Sequence, residues 1–164
     1  AHQNHFDGLT GILNRKGILR AMQTTAFLSK RVDSPIGIIM VDIDHFKAVN
    51  DEHGHDTGDT VLAEVAAILH KTVRRSDLVG RLGGEEFVVV ACPVDHEGLS
   101  LLAEKLRSAV ESARPGGLSV TASFGAALST ENADPEAEMN RLLKVADDQL
   151  YNAKDSGRNC VAGP

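Results

Sequence analysis

The chain has 164 residues, 42% hydrophobic and 24% charged, with a formal net charge of −6, which reads as one soluble globular domain with a substantial core. With five Phe, one Tyr and no Trp, that core must be built from Val, Ile, Leu and Ala. The acidic balance excludes a broad nucleic-acid footprint, which needs a basic face, so no nucleic-acid partner is expected. A phosphorylated ligand stays compatible if metal ions or a few local cations offset its charge. No apolar run is long enough to span a bilayer and no signal peptide is present, so no direct membrane contact by this domain is expected. Cys92 and Cys160 make no disulfide framework and fit a reducing cytoplasm.

The opening Ala-His-Gln-Asn-His suggests a cut inside a longer protein, with residues 1–6 the remnant of an upstream linker and a single domain over 1–164. Asp7-Gly-Leu-Thr-Gly-Ile-Leu-Asn14 is a turn-rich segment with apolar anchors. Asn14 is predicted to cap a helix through about Leu28, burying Ile18, Leu19, Met22 and Phe27. Pro35 and Gly37 lead into Ile38-Ile-Met-Val-Asp42, a short apolar run expected as a strand buried on both faces. Asn50 through Asp59 reads as a long polar loop, and Val61 to Val73 as a helix. Leu78–Leu82 and Phe87–Ala91 have strand composition around Gly83-Gly84, a tight-turn signal that predicts a hairpin. A helix from about His96 to Ala113 follows, ended by Arg114-Pro-Gly-Gly117. A strand is expected over Leu118–Leu128. Pro135 precedes a helix from about Glu136 to Lys154, with Gly157 past its end, and Asn159–Ala162 is a last short strand. Helix, strand, helix, hairpin, helix, strand, helix, strand is the order of an α+β or α/β sandwich around one mixed sheet.

Three places carry candidate chemistry. Glu85 and Glu86 at the hairpin tip, beside glycines that let a ligand approach the backbone, suit metal and phosphate; by themselves they equally suit a solvated turn. Asp42 and Asp44, two apart in an extended chain, share a face at a buried strand end, where carboxylates are expensive unless paired. Facing the hairpin acids, they would form an all-oxygen cage fit for Mg²⁺, although Asp44 also suits a cap for the helical turn His45–Asn50. Asn50 and Asp59 offer the donors and acceptors that read a guanine edge, while Asp59 also suits a helix N-cap. His53 and His55 in a Gly-rich loop are weak zinc candidates and fit turn and helix-packing roles better.

Asp7-Gly-Leu-Thr-Gly, Asp42-Ile-Asp-His-Phe-Lys-Ala-Val-Asn50, Gly54-His-Asp-Thr-Gly-Asp59, Arg81-Leu-Gly-Gly-Glu-Glu-Phe87 and Ala153-Lys-Asp-Ser-Gly-Arg-Asn159 together resemble the successive motifs of GGDEF-domain diguanylate cyclases, in the GGEEF form. The resemblance runs from about Asp7 to Val161. It implies a fold similar to the palm of nucleotidyl cyclases and polymerases, and condensation of two GTP into cyclic di-GMP with release of two pyrophosphates. It implies Asp42, Glu85 and the carbonyl of Ile43 as metal ligands, for two Mg²⁺ (or Mn²⁺) per site, with Glu86 beside them. Gly83 and Gly84 would line the nucleotide site and Asn50 and Asp59 recognise guanine. Phe46 and Lys47, with Lys154 and Arg158, would meet the phosphates; Lys154 and Arg158 also suit a helix-dipole role. The mechanism implied is attack of one 3′-hydroxyl on the other α-phosphorus, with a metal lowering the hydroxyl's pKa and Glu85 or Glu86 taking the proton. Each domain would hold one nucleotide, so a homodimer is needed. Such domains are output modules of bacterial regulators, joined to an upstream sensory or receiver domain in a protein that is cytoplasmic or membrane-anchored.

Arg74-Arg-Ser-Asp77 stands where relatives carry an RxxD inhibitory motif for the product, and the equivalent of a further family Arg is Lys105, with Arg107 an alternative source of the contact. A basic helix end followed by an Asp turn is the plain alternative. Two rival functions remain: a non-catalytic sensor binding GTP or cyclic di-GMP, and a cyclase making a 3′,5′-cyclic mononucleotide. The intact Asp42, Gly83, Gly84, Glu85 and Glu86 set and the Asn50/Asp59 pair favour the diguanylate reading.

Overall fold

The apolar runs around Ile38 and Val88 lie side by side, because backbone groups this deeply buried find partners only in a ladder. The computed structural model describes residues 4–130 and 134–164. Its elements are α1 (Arg15–Arg31), β1 (Gly37–Ile43), α2 (Phe46–His53), α3 (His55–Thr72), β2 (Leu78–Gly83), β3 (Glu86–Ala91), α4 (His96–Ala113), β4 (Ala122–Leu128), α5 (Pro135–Asp155) and β5 (Val161–Ala162), with a 3-10 turn over Pro115–Gly117. The strands form one sheet in the order β2-β3-β1-β4-β5. β1 is antiparallel to both β3 and β4, β2 is antiparallel to β3, and β4 and β5 run parallel. The fold is therefore α+β, a mixed sheet flanked by helices.

Alternation along β1 divides the core in two. Ile39, Val41 and Ile43 pack with Val61, Val65 and Leu69 of α3 and with Leu99, Ala103 and Leu106 of α4. Ile38 and Met40 pack on the other face with Ile18 and Met22 of α1 and with Leu142, Ala146 and Leu150 of α5. Each of the Val, Leu, Ile and Met side chains, fully withdrawn from water, contributes about 1.5–3 kcal/mol before entropy is counted, and the alanines less. Gly125 lets α5 approach β4, since a Cβ there would lie 2.1 Å from the Leu150 nitrogen and 2.3 Å from the Ala146 carbonyl oxygen.

Several expectations are corrected. α1 runs on to Arg31, and Phe27 is 61% exposed, because the inward stripe continues through Ala26 and Ser29 instead. The polar stretch from Asn50 to Asp59 is not a loop: α2 ends at His53 and α3 begins at His55, joined at Gly54, whose φ of +87° makes the corner. Asp59 thus lies inside α3 and is not its cap. β4 starts at Ala122, four residues later than expected. Among the described residues no helix is long and apolar enough to cross a membrane, and Cys92 and Cys160 are free thiols.

The N-terminal segment braces the hairpin. Phe6 bridges Leu13, and Leu13 bridges Gly80 of β2. Asp7 accepts hydrogen bonds from the Thr10 hydroxyl (2.7 Å) and backbone N–H (2.9 Å) and from Arg81 (3.1 Å). Arg81 in turn donates through Nε to the Gly84 carbonyl at 2.9 Å, which ties the hairpin tip to this turn. Burial alone would raise the Asp7 pKa, but the Thr10 and Arg81 hydrogen bonds outweigh it and hold the carboxyl below its ordinary 3.8.

Gly125→Ala should destabilise the domain by about 3 kcal/mol, read from urea unfolding, because neither clashing atom is a flexible side-chain end. A depressed folded pKa gives stability that is present above the unfolded value and lost as pH falls through the folded one. The stability advantage of the native chain over Asp7→Asn should therefore hold at neutral pH and shrink once the pH drops below 3.8, in urea midpoints taken across that range.

Candidate active site

The carboxyl end of β1 brings the proposed carboxylates together. Asp42 is 5% exposed and accepts a hydrogen bond from Lys154 Nζ of α5 at 2.9 Å. Its cross-strand partner on β3 is Glu86, and the Ile43 N–H donates to the Glu85 carbonyl at 3.3 Å. Burial pushes the Asp42 carboxyl above its usual range; the Lys154 ammonium opposes this, while the charges of Glu85 and Glu86 add to it. The β-turn at the tip is made by Gly84, with φ +45°, and Glu85, so one glutamate is itself a turn residue. Glu85 is half-buried and Glu86 exposed. A Cβ at Gly83 or Gly84 would meet nothing within 4 Å, which leaves room for a ligand over the tip.

Among the described residues no three His, Cys, Asp or Glu side chains converge to hold a metal ion. The cage of four carboxylates is thereby corrected. The remaining set, Asp42, Glu85 and the Ile43 carbonyl, is all oxygen and electron-rich, and it fits an ion such as Mg²⁺ that takes one or two carboxylates and completes its shell with phosphate and water.

Asp44 has a different occupation. It is 6% exposed and accepts from the Thr121 hydroxyl (2.7 Å), the Ser123 hydroxyl (2.7 Å) and the Asn159 backbone N–H (3.0 Å). It does not cap α2, whose N-cap position is His45 in the left-handed region with no side-chain cap. The start of α2 therefore presents N–H groups without intrahelical acceptors. Phe46 is 9% exposed and belongs to the core, so it offers only its main chain; Lys47 is exposed.

Asn50 is half-buried, and its side-chain oxygen would lie 1.8 Å from a Cβ at Gly58. Only glycine lets the amide sit against α3 there, next to exposed Asp59. Lys154 is one-third exposed at the end of α5, and Arg158 is exposed in the following loop, where Gly157, Arg158 and Asn159 all have positive φ. His53 and His55 are exposed at the α2–α3 junction, so neither fills the helix-packing role expected of it. Arg81, Thr121, Ser123, Asn159 and Gly58 are the residues that sequence reasoning left without a role. The Thr121/Ser123 alternation ahead of an apolar run was a visible signal; the Gly58 contact was not.

Upstream of the hairpin, Arg74 forks onto Asp77 through Nε (3.1 Å) and Nη2 (2.9 Å), and Nη2 also donates to the Pro93 carbonyl at 2.9 Å. The Asp77 hydrogen bond raises the Arg74 pKa, and Asp77 also accepts the Arg74 backbone N–H at 2.9 Å. The Asp77 side chain is fully covered while Arg74 is half-exposed. Lys105 is exposed on α4. Arg107 cannot replace it: its guanidinium holds Glu104 (2.6 Å), Glu111 (3.5 Å) and Asn159 (2.9 Å), beside the opposite edge of the sheet.

The family model "Diguanylate cyclase, GGDEF domain" matches residues 4–160. The chain is 38% identical over 163 residues to the probable diguanylate cyclase DgcT of Escherichia coli K12, covering 96% of this chain and 35% of DgcT. It is 36% identical over 165 residues to diguanylate cyclase DosC of the same organism, covering 98% of this chain and 35% of DosC. It thus spans only 35% of the length of either curated relative. The GGDEF domain of DgcB from Caulobacter crescentus, solved in complex with c-di-GMP, matches with a TM-score of 0.88 at 29% identity, covering 99% of this chain and 97% of that one. With a family match over nearly its whole length and a hairpin that carries the Gly-Gly-Glu-Glu signature, this chain is a GGDEF domain, a member of the diguanylate cyclase family.

Proposed function

We propose that two copies of this domain condense two GTP molecules into cyclic di-GMP and two pyrophosphates. The observation that carries the reading is the end of β1, where buried Asp42 holds Lys154 at 2.9 Å beside a hairpin tip with open space over Gly83 and Gly84. Asn50 and Asp59 read the guanine edge. The main-chain N–H groups of Phe46 and Lys47, with the Lys47, Lys154 and Arg158 cations, take the β- and γ-phosphates. Asp42, Glu85 and the Ile43 carbonyl would hold the divalent cations, two Mg²⁺ or Mn²⁺ per site. Bound there, the cations lower the pKa of the attacking 3′-hydroxyl and neutralise phosphate charge.

With Glu85 committed to the cations, Glu86 is the carboxylate free to accept the hydroxyl proton. Each copy presents one GTP, so the 3′-hydroxyl held by one copy meets the α-phosphorus held by the other. An upstream sensory or receiver domain would govern that encounter. Arg74 and Asp77, with exposed Lys105, would form the product site, the guanidinium turning from Asp77 towards phosphate or guanine.

Incubation with GTP and Mg²⁺, followed by chromatography and mass analysis, should yield cyclic di-GMP at a rate per chain that rises with protein concentration. Asp42→Asn should lower that rate by about a hundredfold or more. Binding of GTP without turnover would point to a sensor instead, and a 3′,5′-cyclic mononucleotide to a different cyclase. Arg74→Ala should raise the cyclic di-GMP concentration needed for half-inhibition by about tenfold, measured from initial rates. Asp77 keeps the backbone N–H of residue 74 as a donor in that variant.

A further inference from the structure

We infer that Asp44 is the positioning residue that sets Arg158 relative to the carboxyl end of β1, so that one dipeptide step separates the metal-binding carboxylate from the anchor of the phosphate-binding loop. The inference deepens the function proposed above and rests on its reading of Arg158 as a phosphate ligand.

Asp44 is buried at 6% exposure, yet its hydrogen-bond partners are all neutral: the Thr121 and Ser123 hydroxyls and the Asn159 backbone N–H. No Lys or Arg among the described residues forms an ion pair with it. A carboxylate withdrawn from water this far persists only while its donors stay in place, so it fixes them as firmly as they satisfy it. Two donors come from Ser123 of β4 and Thr121 just before it, and the third comes from the loop after α5. Asp44 therefore fastens that loop to the sheet at a point two residues beyond Asp42.

The loop needs such a fastening. Gly157, Arg158 and Asn159 have φ of 112°, 65° and 46° in succession, and two of them carry side chains in a region that L-residues rarely adopt. Conformations of this kind persist where surrounding contacts over-determine them. Here the Asn159 side chain is held by Arg107 at 2.9 Å and by Glu111, Arg158 N–H donates to the Ala153 carbonyl at 3.1 Å, and Phe124 N–H donates to the Cys160 carbonyl at 3.0 Å. Of these contacts, the Asp44 bond alone comes from the β1 end that carries Asp42. The backbone of Arg158 is thus pinned on both sides while its side chain is exposed and free to reach a ligand.

The test is a double-mutant cycle of Asp44→Asn and Arg158→Ala, with dissociation constants measured in Mg²⁺ for 3′-deoxy-GTP, which cannot be condensed, and for GMP. The readout is the preference for the triphosphate over the monophosphate. Each single variant should lower that preference by about tenfold, with GMP affinity nearly unchanged, and the double variant should lose little more than either single, because Asp44 acts through Arg158. An unchanged preference in Asp44→Asn, or full additivity in the double variant, overturns the inference alone. An unchanged preference in Arg158→Ala overturns the phosphate reading and the inference with it. Should Asp44→Asn fail to fold by circular dichroism, Thr121→Val with Ser123→Ala carries the same cycle. It leaves the carboxylate in place with its hydroxyl donors gone, and the expected loss is about threefold. No loss in that pair sinks the proposal.

Discussion

Antiparallel pairing of β1 on both of its edges is the constraint on which this structure depends. Because β3 and β4 both run against it, the carboxyl end of β1 meets the hairpin tip on one side and the beginning of β4 on the other. Asp42 is opposite Glu86 and Ser123 in the two ladders, so the acids of the hairpin and the hydroxyls that serve Asp44 arrive at the same place. The register is held by alternation: Ile39, Val41 and Ile43 face one core, and Ile38 and Met40 the other. A slip by one residue would exchange the two sets and carry Asp42 away from Lys154. Core packing and site geometry are one requirement here.

The two aspartates of that strand end illustrate how burial is resolved in different ways. Asp42 is balanced by an ammonium on a flexible stem, in a neighbourhood made more negative by Glu85 and Glu86. Such an arrangement is short of positive charge and suited to a cation arriving with a polyphosphate. Asp44 is balanced by dipoles from two hydroxyls and a backbone amide, so its carboxylate is engaged by the protein itself. Spacing alone treats the pair as equivalent; the identity of the facing groups separates them.

The hairpin tip is similarly held from outside itself. Arg81 spans the Gly84 carbonyl and Asp7, and Asp7 also organises the turn through Thr10. The N-terminal turn and the signature hairpin are therefore mechanically one unit, 74 residues apart in sequence. A glycine-rich tip has little conformational preference of its own, so its shape is imposed by these charge-assisted bonds.

The sequence by itself determined the order of the helices and strands apart from α2, the α+β class, the burial of the β1 run on both faces and the family motifs, because periodicity and turn chemistry are local properties. It misjudged Phe27, since one helical position shifts a side chain by 100° and neighbouring residues do not report which stripe faces the sheet. It also read the polar stretch from Asn50 to Asp59 as a loop, because glycines and polar residues weaken a helical signal that the packing of α2 against α3 overrides. Only the tertiary structure decided that Asp44 serves the loop after α5, that Gly58 makes room for Asn50, that Arg107 is committed to Glu104 and Asn159, and that Arg74 folds back onto Asp77. Each is a contact between segments far apart in the chain or a choice among several reachable partners. Such choices are made by the ladder register and the helix packing, which no local pattern contains.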